Sequence, residues 1–173
     1  MRAYLPFRLL LAGFFSLFLI TASAQKKFDA AIDLNDYLAT ITDTLYTGGG
    51  EWGTQLSQGK AAKNFSPLEK TRMKMELFCY RKHYELSKMT PQFGSQELIQ
   101  ALKDFLDFEI QLISNHFTPF EKMNASTPME KIDKQLELLT AAAQDEGTAL
   151  KKVNDAQVAF ANKNGFTLES KED

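Results

Sequence analysis

The sequence predicts an all-α protein, and more specifically an up-down-up-down four-helix bundle with a long C-terminal helix. Valine, which is enriched in strands, occurs only at positions 153 and 158, and no segment alternates strictly between apolar and polar residues. Apolar residues recur instead at helical spacing. The segments with this spacing begin or end near four prolines, as expected of a helical chain: Pro67, Pro91, Pro119 and Pro128.

The first 24 residues have the three parts of a secretory signal peptide. Arg2 and Arg8 precede an apolar run over residues 9–20, and Ala22-Ser23-Ala24 is a small-residue cleavage site. The run is shorter than the roughly 20 residues of a membrane-spanning helix. We therefore expect cleavage between Ala24 and Gln25, export to the periplasm or the cell surface, and a soluble mature chain without an integral membrane segment.

Residues 25–168 are expected to form a single helical domain, followed by a disordered polar tail at 169–173. The whole chain has 20 Lys+Arg and 22 Asp+Glu, and removal of the two leader arginines makes it more acidic. Nucleic acid and anionic membranes select basic surfaces, so neither is an expected partner. The single cysteine, Cys79, cannot form an internal disulfide. We expect a buried, unreactive thiol, and the alternative is a reactive thiol or a disulfide between two chains.

The first helix is predicted to be interrupted by glycine. Residues from Phe28 to about Tyr46 have helical apolar spacing. Gly48 to Gly50 follow, and three glycines inside a helix cost roughly 3 kcal/mol relative to alanine. We therefore predict a break at this run, with a helix resuming over residues 51–63. The run is not a phosphate-binding loop, because Glu-Trp follows it instead of Gly-Lys-Ser/Thr.

Two further helices are predicted from capping signals. Ser66 and Pro67 open a second helix that runs to about Met89. Its apolar stripe is widened by four residues, which predict contact with more than one neighbouring helix: Met73, Leu77, Tyr80 and Tyr84. Ser95 caps a third helix that runs to about Phe117, where the proline at position 119 closes or kinks it.

The final helix has the clearest boundaries. Thr127 is a predicted N-cap, Pro128 suits the first turn, and Gly165 stops the helix while Phe166 folds back on it. At 1.5 Å per residue this helix is roughly 55 Å long, about 20 Å longer than the second or third helix. We therefore predict that the first segment and residues 51–63 run alongside most of this helix. Opposite residues 147–160, either residues 51–63 pack or an apolar surface is exposed.

No metal site, cofactor or catalytic residue is predicted. Di-iron bundles use Glu-x-x-His, whereas Tyr80 and Ile113 stand three residues before the two histidines, His83 and His116. Cys79 and His83 are one helical turn apart, but no second pair of ligands has such a spacing. The pair also lacks the Gly-rich turn of a nucleophile site.

The acidic residues of the third helix, Asp104, Asp107 and Glu109, are expected to lie on a solvated face. A hydrolase with paired carboxylates would need two such groups in a concave pocket. The sequence does not place two carboxylates together, so we do not expect an enzyme.

The aromatic residues leave two interpretations open. The chain contains 14 Phe, 5 Tyr and 1 Trp, and core packing explains most of them. The alternative is an apolar pocket between helices near Trp52, Tyr80 and Tyr84.

Two Asn-x-Ser sequences, Asn64-Phe65-Ser66 and Asn124-Ala125-Ser126, precede predicted helix starts. Both fit the N-glycosylation pattern. Asn and Ser are also favoured capping residues, so capping is the preferred interpretation and glycosylation the alternative.

Several segments resemble a family of exported bacterial surface proteins. They are the leader without a lipid-attachment cysteine, Asp36-Tyr37 in the first helix, Asn64-Phe65-Ser66 before the second, and Phe160-Ala161-Asn162-Lys163-Asn164 near the end. The members of this family are helical and functionally uncharacterised. The resemblance implies export and a helical fold, and it transfers no catalytic residue.

Together these features predict an exported, non-enzymatic helical bundle that binds or scaffolds a protein of the bacterial cell envelope. The alternative is a carrier of a small apolar ligand or lipid in a pocket between helices.

Overall fold

The computed structural model describes residues 26–168 and contains four long helices and one short one. They are α1 (Ala31–Ala62), α2 (Leu68–Lys88), α3 (Gln96–Leu112), the short α4 (Thr118–Glu121) and α5 (Met129–Asn164); a π-helical turn (Ile113–Phe117) joins α3 to α4. No strand occurs in the described residues, so the predicted all-α bundle is confirmed. The predicted signal peptide, its cleavage site and the predicted tail at 169–173 lie outside these residues.

The four long helices close into a bundle in the order of the chain. α2 packs between α1 and α3, α3 packs against α5, and α5 contacts α1. Thr71 near the start of α2 donates to Glu51 (3.3 Å), whereas Glu85 near its end accepts from Tyr37, so α1 and α2 are antiparallel. This order places α2 and α5 on diagonal corners of an up-down-up-down bundle.

The predicted interruption of the first helix is wrong, because α1 is continuous over Ala31–Ala62. Gly48 lies where α1 and α2 approach closely: a Cβ at this position would stand 2.9 Å from Cγ of Met75. Leu45 and Trp52 are buried on either side of the glycine run. Burial of such side chains stabilises the helix by ~1.5–3 kcal/mol each, which outweighs the helix propensity lost at the glycines.

The helical chain continues past the predicted end of the third helix at Phe117, because the π-helical turn and α4 follow α3 without a break. Pro119 has no N–H to donate, and its ring clashes with the carbonyl four residues earlier in an α-helix. The chain widens into the π-helical turn, in which the N–H of Thr118 donates to the carbonyl of Ile113. The proline therefore widens the helix instead of ending it.

The final helix packs against α3 and α1, so of the two outcomes that the sequence left open, packing is the one observed. Asn164 Nδ2 donates to the carbonyl of Phe93 just before α3 (3.3 Å), and Gln135 Nε2 donates to the carbonyl of His116 just beyond α3 (3.4 Å). α3 and the π-helical turn thus run antiparallel to most of α5. Val153, in the second half of this helix, is buried.

The predicted end of this helix is confirmed. Gly165 has a φ of 72°, in the left-handed region that favours glycine. The N–H of Phe166 donates to the carbonyl of Ala161 (3.2 Å), and its ring meets the edge of Phe160 with centroids 5.9 Å apart. These contacts form the glycine-based helix ending that the sequence indicated.

The predicted side-chain caps at the helix starts are wrong. Ser66 Oγ donates to Asn64 Oδ1 (2.8 Å), and Thr127 Oγ1 accepts from the N–H of Asn124 (2.9 Å). Ser95 Oγ has no hydrogen-bond partner within the described residues. The local turns hold the hydroxyls of Ser66 and Thr127, and α2 and α5 each begin directly after a proline instead.

The two Asn-x-Ser sequences form the same local structure. In each, Oδ1 of the asparagine, Asn64 or Asn124, accepts from both the N–H and the hydroxyl of the serine two residues later. These are Asx turns that precede a helix. Neither sequence caps its helix, and glycosylation of the two exposed asparagines stays a prediction.

Candidate functional site

The outer face of α2 carries a line of exposed apolar side chains. Met73, Leu77, Tyr80 and Tyr84 are 53%, 57%, 53% and 67% exposed. Their spacing of four, three and four residues places them along one side of the helix. We call these four residues the α2 stripe. The sequence predicted that they contact neighbouring helices, and this is wrong because they face solvent.

The opposite face of α2 packs into the core. Leu68, Met75, Cys79 and Leu86 are all buried. α2 is therefore apolar on two faces, of which the bundle uses only one. The inner face holds the helix in place, and the α2 stripe projects from a rigid support.

Charged residues border the α2 stripe on both sides. At about 100° per residue, Glu69 and Glu76 lie on one side and Lys74 and Arg81 on the other. We call these pairs the acidic edge and the basic edge. Glu76 accepts from Arg72 of the same helix (2.6 Å), whose guanidinium also binds Glu121 of α4.

The three residues predicted to line an apolar pocket occupy different environments. Trp52 is 2% exposed and stacks on Phe117, with ring centroids 3.8 Å and planes 14° apart. Tyr80 and Tyr84 belong to the exposed α2 stripe. None of the three lines either of the two grooves described next, so the structure gives no support to that pocket.

Two open grooves run along the bundle. The first, of about 420 Å³, lies between α1 and α2, with an apolar floor of Leu45, Met75 and Phe78 and a polar rim that includes Thr44 and Lys74. The second, of about 410 Å³, lies between α3 and α5 and is lined in part by Phe105, Phe108, Ala149 and Lys152. Both volumes fall within the range of small-molecule sites.

A pair of glutamates lies between α3 and α5, and the prediction that Glu109 is solvated is wrong. Glu109 is only 2% exposed. Burial, followed by the charge of Glu146, raises the pKa of Glu109 to about 8. Burial also raises the pKa of Glu146, while its hydrogen bond with Glu109 opposes that rise. Burial and the neighbouring carboxylate therefore both favour the protonated form of Glu109.

The sequence contains a signal for this pair that was missed. Glu109 follows Phe105 by four residues and precedes Leu112 by three, so it occupies a core position of α3. Glu146 likewise stands four residues before Leu150 on the inner side of α5. The two glutamates lie side by side between α3 and α5. Because Glu109 is buried, the pair does not offer the open carboxylates that a hydrolase needs.

Cys79 lies on the inner face of α2 and is fully buried. Burial, with a smaller contribution from the charge of Glu109, raises the pKa of the thiol to about 12. The thiolate is the reactive form of cysteine, so this thiol is unreactive in the folded protein. The predicted burial of Cys79 is confirmed.

A polar cluster fastens the N-terminal part of the described chain to the bundle. The Tyr37 hydroxyl donates to Glu85, and Lys82 donates to both Tyr37 (3.0 Å) and Glu85 (2.9 Å). Burial alone would raise the pKa of Glu85, but these hydrogen bonds lower it. Lys26 Nζ lies 3.4 Å from the centroid of the Tyr37 ring. The cluster is a structural link between α1 and α2.

Within residues 26–168, no group of three or more His, Cys, Asp or Glu side chains is arranged to hold a metal ion. No helix in the same range has the length and apolar character required to cross a membrane. The chain matches no protein-family model, no curated protein and no solved structure. The α2 stripe is thus the candidate functional surface, and the resemblance to exported surface proteins stays a prediction.

Proposed function

We propose that this chain is an exported, non-enzymatic helical bundle that binds or scaffolds proteins in the bacterial cell envelope. Its binding surface is the α2 stripe. The observation that carries the proposal is the exposure of four large apolar side chains in one line on a fixed helix. Contiguous exposed apolar surface of this kind marks interaction sites in soluble proteins.

The composition of the α2 stripe favours protein as its ligand. Tyrosine and methionine are enriched at protein interfaces, and charged edges around an apolar centre are the usual arrangement there. Anchors that recur every three or four residues also suit a helix or groove on a partner. Because the inner face of α2 is buried, the stripe loses little conformational entropy when a partner binds.

Export is supported by the leader, with its apolar run and the Ala22-Ser23-Ala24 site. The test is fractionation of the native host, followed by sequencing of the N-terminus of the protein. We expect a chain that begins at Gln25 in the periplasmic or surface fraction. A chain that keeps residues 1–24 and remains in the cytosol would contradict the proposal.

Binding through the α2 stripe is tested by photo-cross-linking in the host. A benzophenone amino acid at Leu77 should give covalent adducts with protein in the envelope fraction. The control places the same group at Thr148, which is exposed on the diagonal helix α5. Adducts from position 77 but not from 148 are expected, and an absence of adducts from position 77 in correctly located protein would contradict the proposal.

A second candidate function, a carrier of a small apolar ligand or lipid, is favoured by the groove between α1 and α2. Its floor is apolar and its volume is about 420 Å³. Native mass spectrometry of protein from its host should then show a bound apolar molecule, and Thr44→Trp should displace it by filling the groove. Thr54→Trp, exposed on the same helix outside the groove, is the control. Protein without bound ligand would contradict this function.

A further inference from the structure

We propose that the α2 stripe binds the α2 stripe of a second copy of this chain, in a parallel and two-fold symmetric dimer. This inference rests on the proposed function, because it takes the stripe as the binding surface and names its partner. Two features carry it: the heptad spacing of the stripe, and the self-complementary charges of its two edges.

The spacing is that of a two-stranded coiled coil. Met73, Leu77, Tyr80 and Tyr84 occupy alternating d and a positions of a heptad. In a parallel pair of such helices, each of these residues meets its own copy across the symmetry axis. A two-fold interface requires one surface that is complementary to itself, and an apolar line in the centre of the interface meets this requirement.

The charges select the direction of the second helix. In the same heptad, Glu69 and Glu76 occupy g positions and Lys74 and Arg81 occupy e positions. A parallel pair brings each g residue opposite the e residue five positions later in the other copy. Glu69 then faces Lys74 of the second copy, and Glu76 faces Arg81 of the second copy. Symmetry repeats both pairs, so four attractive contacts border the stripe.

An antiparallel pair would bring the two basic edges together. In that arrangement e residues face e residues, so Lys74 meets Arg81 of the second copy. Like charges in contact at an interface oppose association. The charge pattern therefore favours the parallel arrangement and disfavours the antiparallel one.

The expected dimer is weak. The stripe spans about two heptads, fewer than the roughly three or four that identify a free-standing coiled coil. A stable interface also buries about 800 Å² on each partner, more than four half-exposed side chains supply without their edges. We expect a dissociation constant in the micromolar range, on the order of 1–100 μM.

The first experiment measures the mass of the chain purified from its host by sedimentation equilibrium over a range of concentrations. We expect a monomer–dimer equilibrium. Leu77→Lys should raise the dissociation constant of the dimer at least about 100-fold, because it places two ammonium groups at the symmetry axis. Thr148→Lys on α5 is the matched control and should leave it unchanged. A wild-type protein that is monomeric up to millimolar concentration overturns the inference.

The second experiment tests the direction with a charge exchange. Lys74→Glu should weaken the parallel dimer about 10-fold, because the new carboxylate would face Glu69 of the second copy. Adding Glu69→Lys should restore the affinity by reversing the pair. In an antiparallel dimer the new carboxylate would instead face Arg81 and tighten association, and that result overturns the inference.

The third experiment uses a cysteine that reports the arrangement directly. In the parallel dimer, Met73→Cys places two thiols across the axis, within reach of a disulfide. In an antiparallel dimer the two thiols are about 16 Å apart, which is the rise of eleven residues. Native Cys79 is buried and does not interfere. Rapid oxidation of Met73→Cys but not of Thr148→Cys supports the parallel dimer, and equal rates overturn it.

These results separate the inference from the proposed function. If position 77 cross-links another envelope protein while the purified chain is monomeric, the dimer is wrong and the binding function stands. If position 77 cross-links nothing and the chain is monomeric, both are wrong. A cross-link between two copies that Leu77→Lys abolishes supports both.

Discussion

The outer face of α2 exposes apolar residues, whereas the interface between α3 and α5 buries an acidic one. On α2, Leu77 is 57% exposed, whereas between α3 and α5 the acidic Glu109 is 2% exposed. The two departures have different consequences. An exposed leucine changes the free energy of unfolding little, so it is available for binding. A buried carboxyl group must be protonated or paired, so it makes stability depend on pH.

The largest expected effect separates the two faces of α2. Leu86, on the inner face, is 2% exposed, and Leu86→Ala should lower the free energy of unfolding by about 3 kcal/mol through lost burial and a cavity. Leu77→Ala is the matched control, since it makes the same change on the exposed face. It should alter stability by less than about 0.5 kcal/mol. Urea denaturation at micromolar or lower protein concentration measures both values.

This comparison would fail if Leu77→Ala were as destabilising as Leu86→Ala. Such a result would mean that the stripe is packed within the monomer. A loss that appears only at high protein concentration would have a different meaning, because dissociation of a dimer also lowers apparent stability.

The second effect concerns the buried acid. Glu109 has a pKa raised from 4.5 to about 8, so the folded chain retains a proton that the unfolded chain has already lost. Stability should therefore fall as the pH rises from about 4.5 to about 8, by up to about 1.4 kcal/mol per pH unit. Glu109→Gln removes the buried charge and should raise the free energy of unfolding by about 2 kcal/mol at pH 9.

Chemical denaturation at pH 5, 7 and 9 measures this dependence. Glu137→Gln is the control, because Glu137 is exposed on α5. In the control, the free energy of unfolding should depend on pH as it does in the wild type. In Glu109→Gln this dependence should be weaker. An unchanged slope in Glu109→Gln would show that Glu109 is not the titrating group.

The third effect is smaller and concerns the partner of Glu109. Glu146→Gln removes the nearby negative charge, which is the second cause of the raised pKa of Glu109 after burial. The pKa of Glu109 should fall but remain above its usual value. The pH range over which the free energy of unfolding decreases should therefore end at a lower pH. At pH 9 the free energy of unfolding of Glu146→Gln should exceed that of the wild type by about 1 kcal/mol. A Glu146→Gln profile identical to that of the wild type would show that the two groups do not interact.

These regions also show what the sequence could predict. The all-α class, the ending at Gly165 and the burial of Cys79 depend on local spacing or composition, and these predictions were correct. Which face of α2 is buried and which is exposed depends on how helices that are distant in sequence pack together. A wide apolar stripe such as Met73 to Tyr84 fits either a second neighbour or solvent equally well.

The environment of Glu109 could be predicted from the sequence only in part. Its position in the apolar period of α3 was visible in the sequence, but its hydrogen-bond partner Glu146 lies on another helix. Acidic residues are rarely buried unless paired, so a single glutamate in a core position does not by itself predict burial. The pair becomes recognisable only when the antiparallel register of α3 and α5 is known.

The glycine run provides the smallest predicted effect and a further test of the inner face of α2. Gly49 has no atom within 4 Å of a built Cβ, whereas at Gly48 the Cβ would lie 2.9 Å from Cγ of Met75. Gly49→Ala should therefore stabilise α1 by up to about 1 kcal/mol, the difference in helix propensity. Gly48→Ala gains the same propensity but must displace Met75 on the inner face of α2, so its net effect should be near zero. Thermal unfolding of the two variants distinguishes these outcomes. Equal stabilisation would mean that α1 and α2 do not pack closely at Gly48, and that the inner face of α2 is less tightly held than its buried residues indicate.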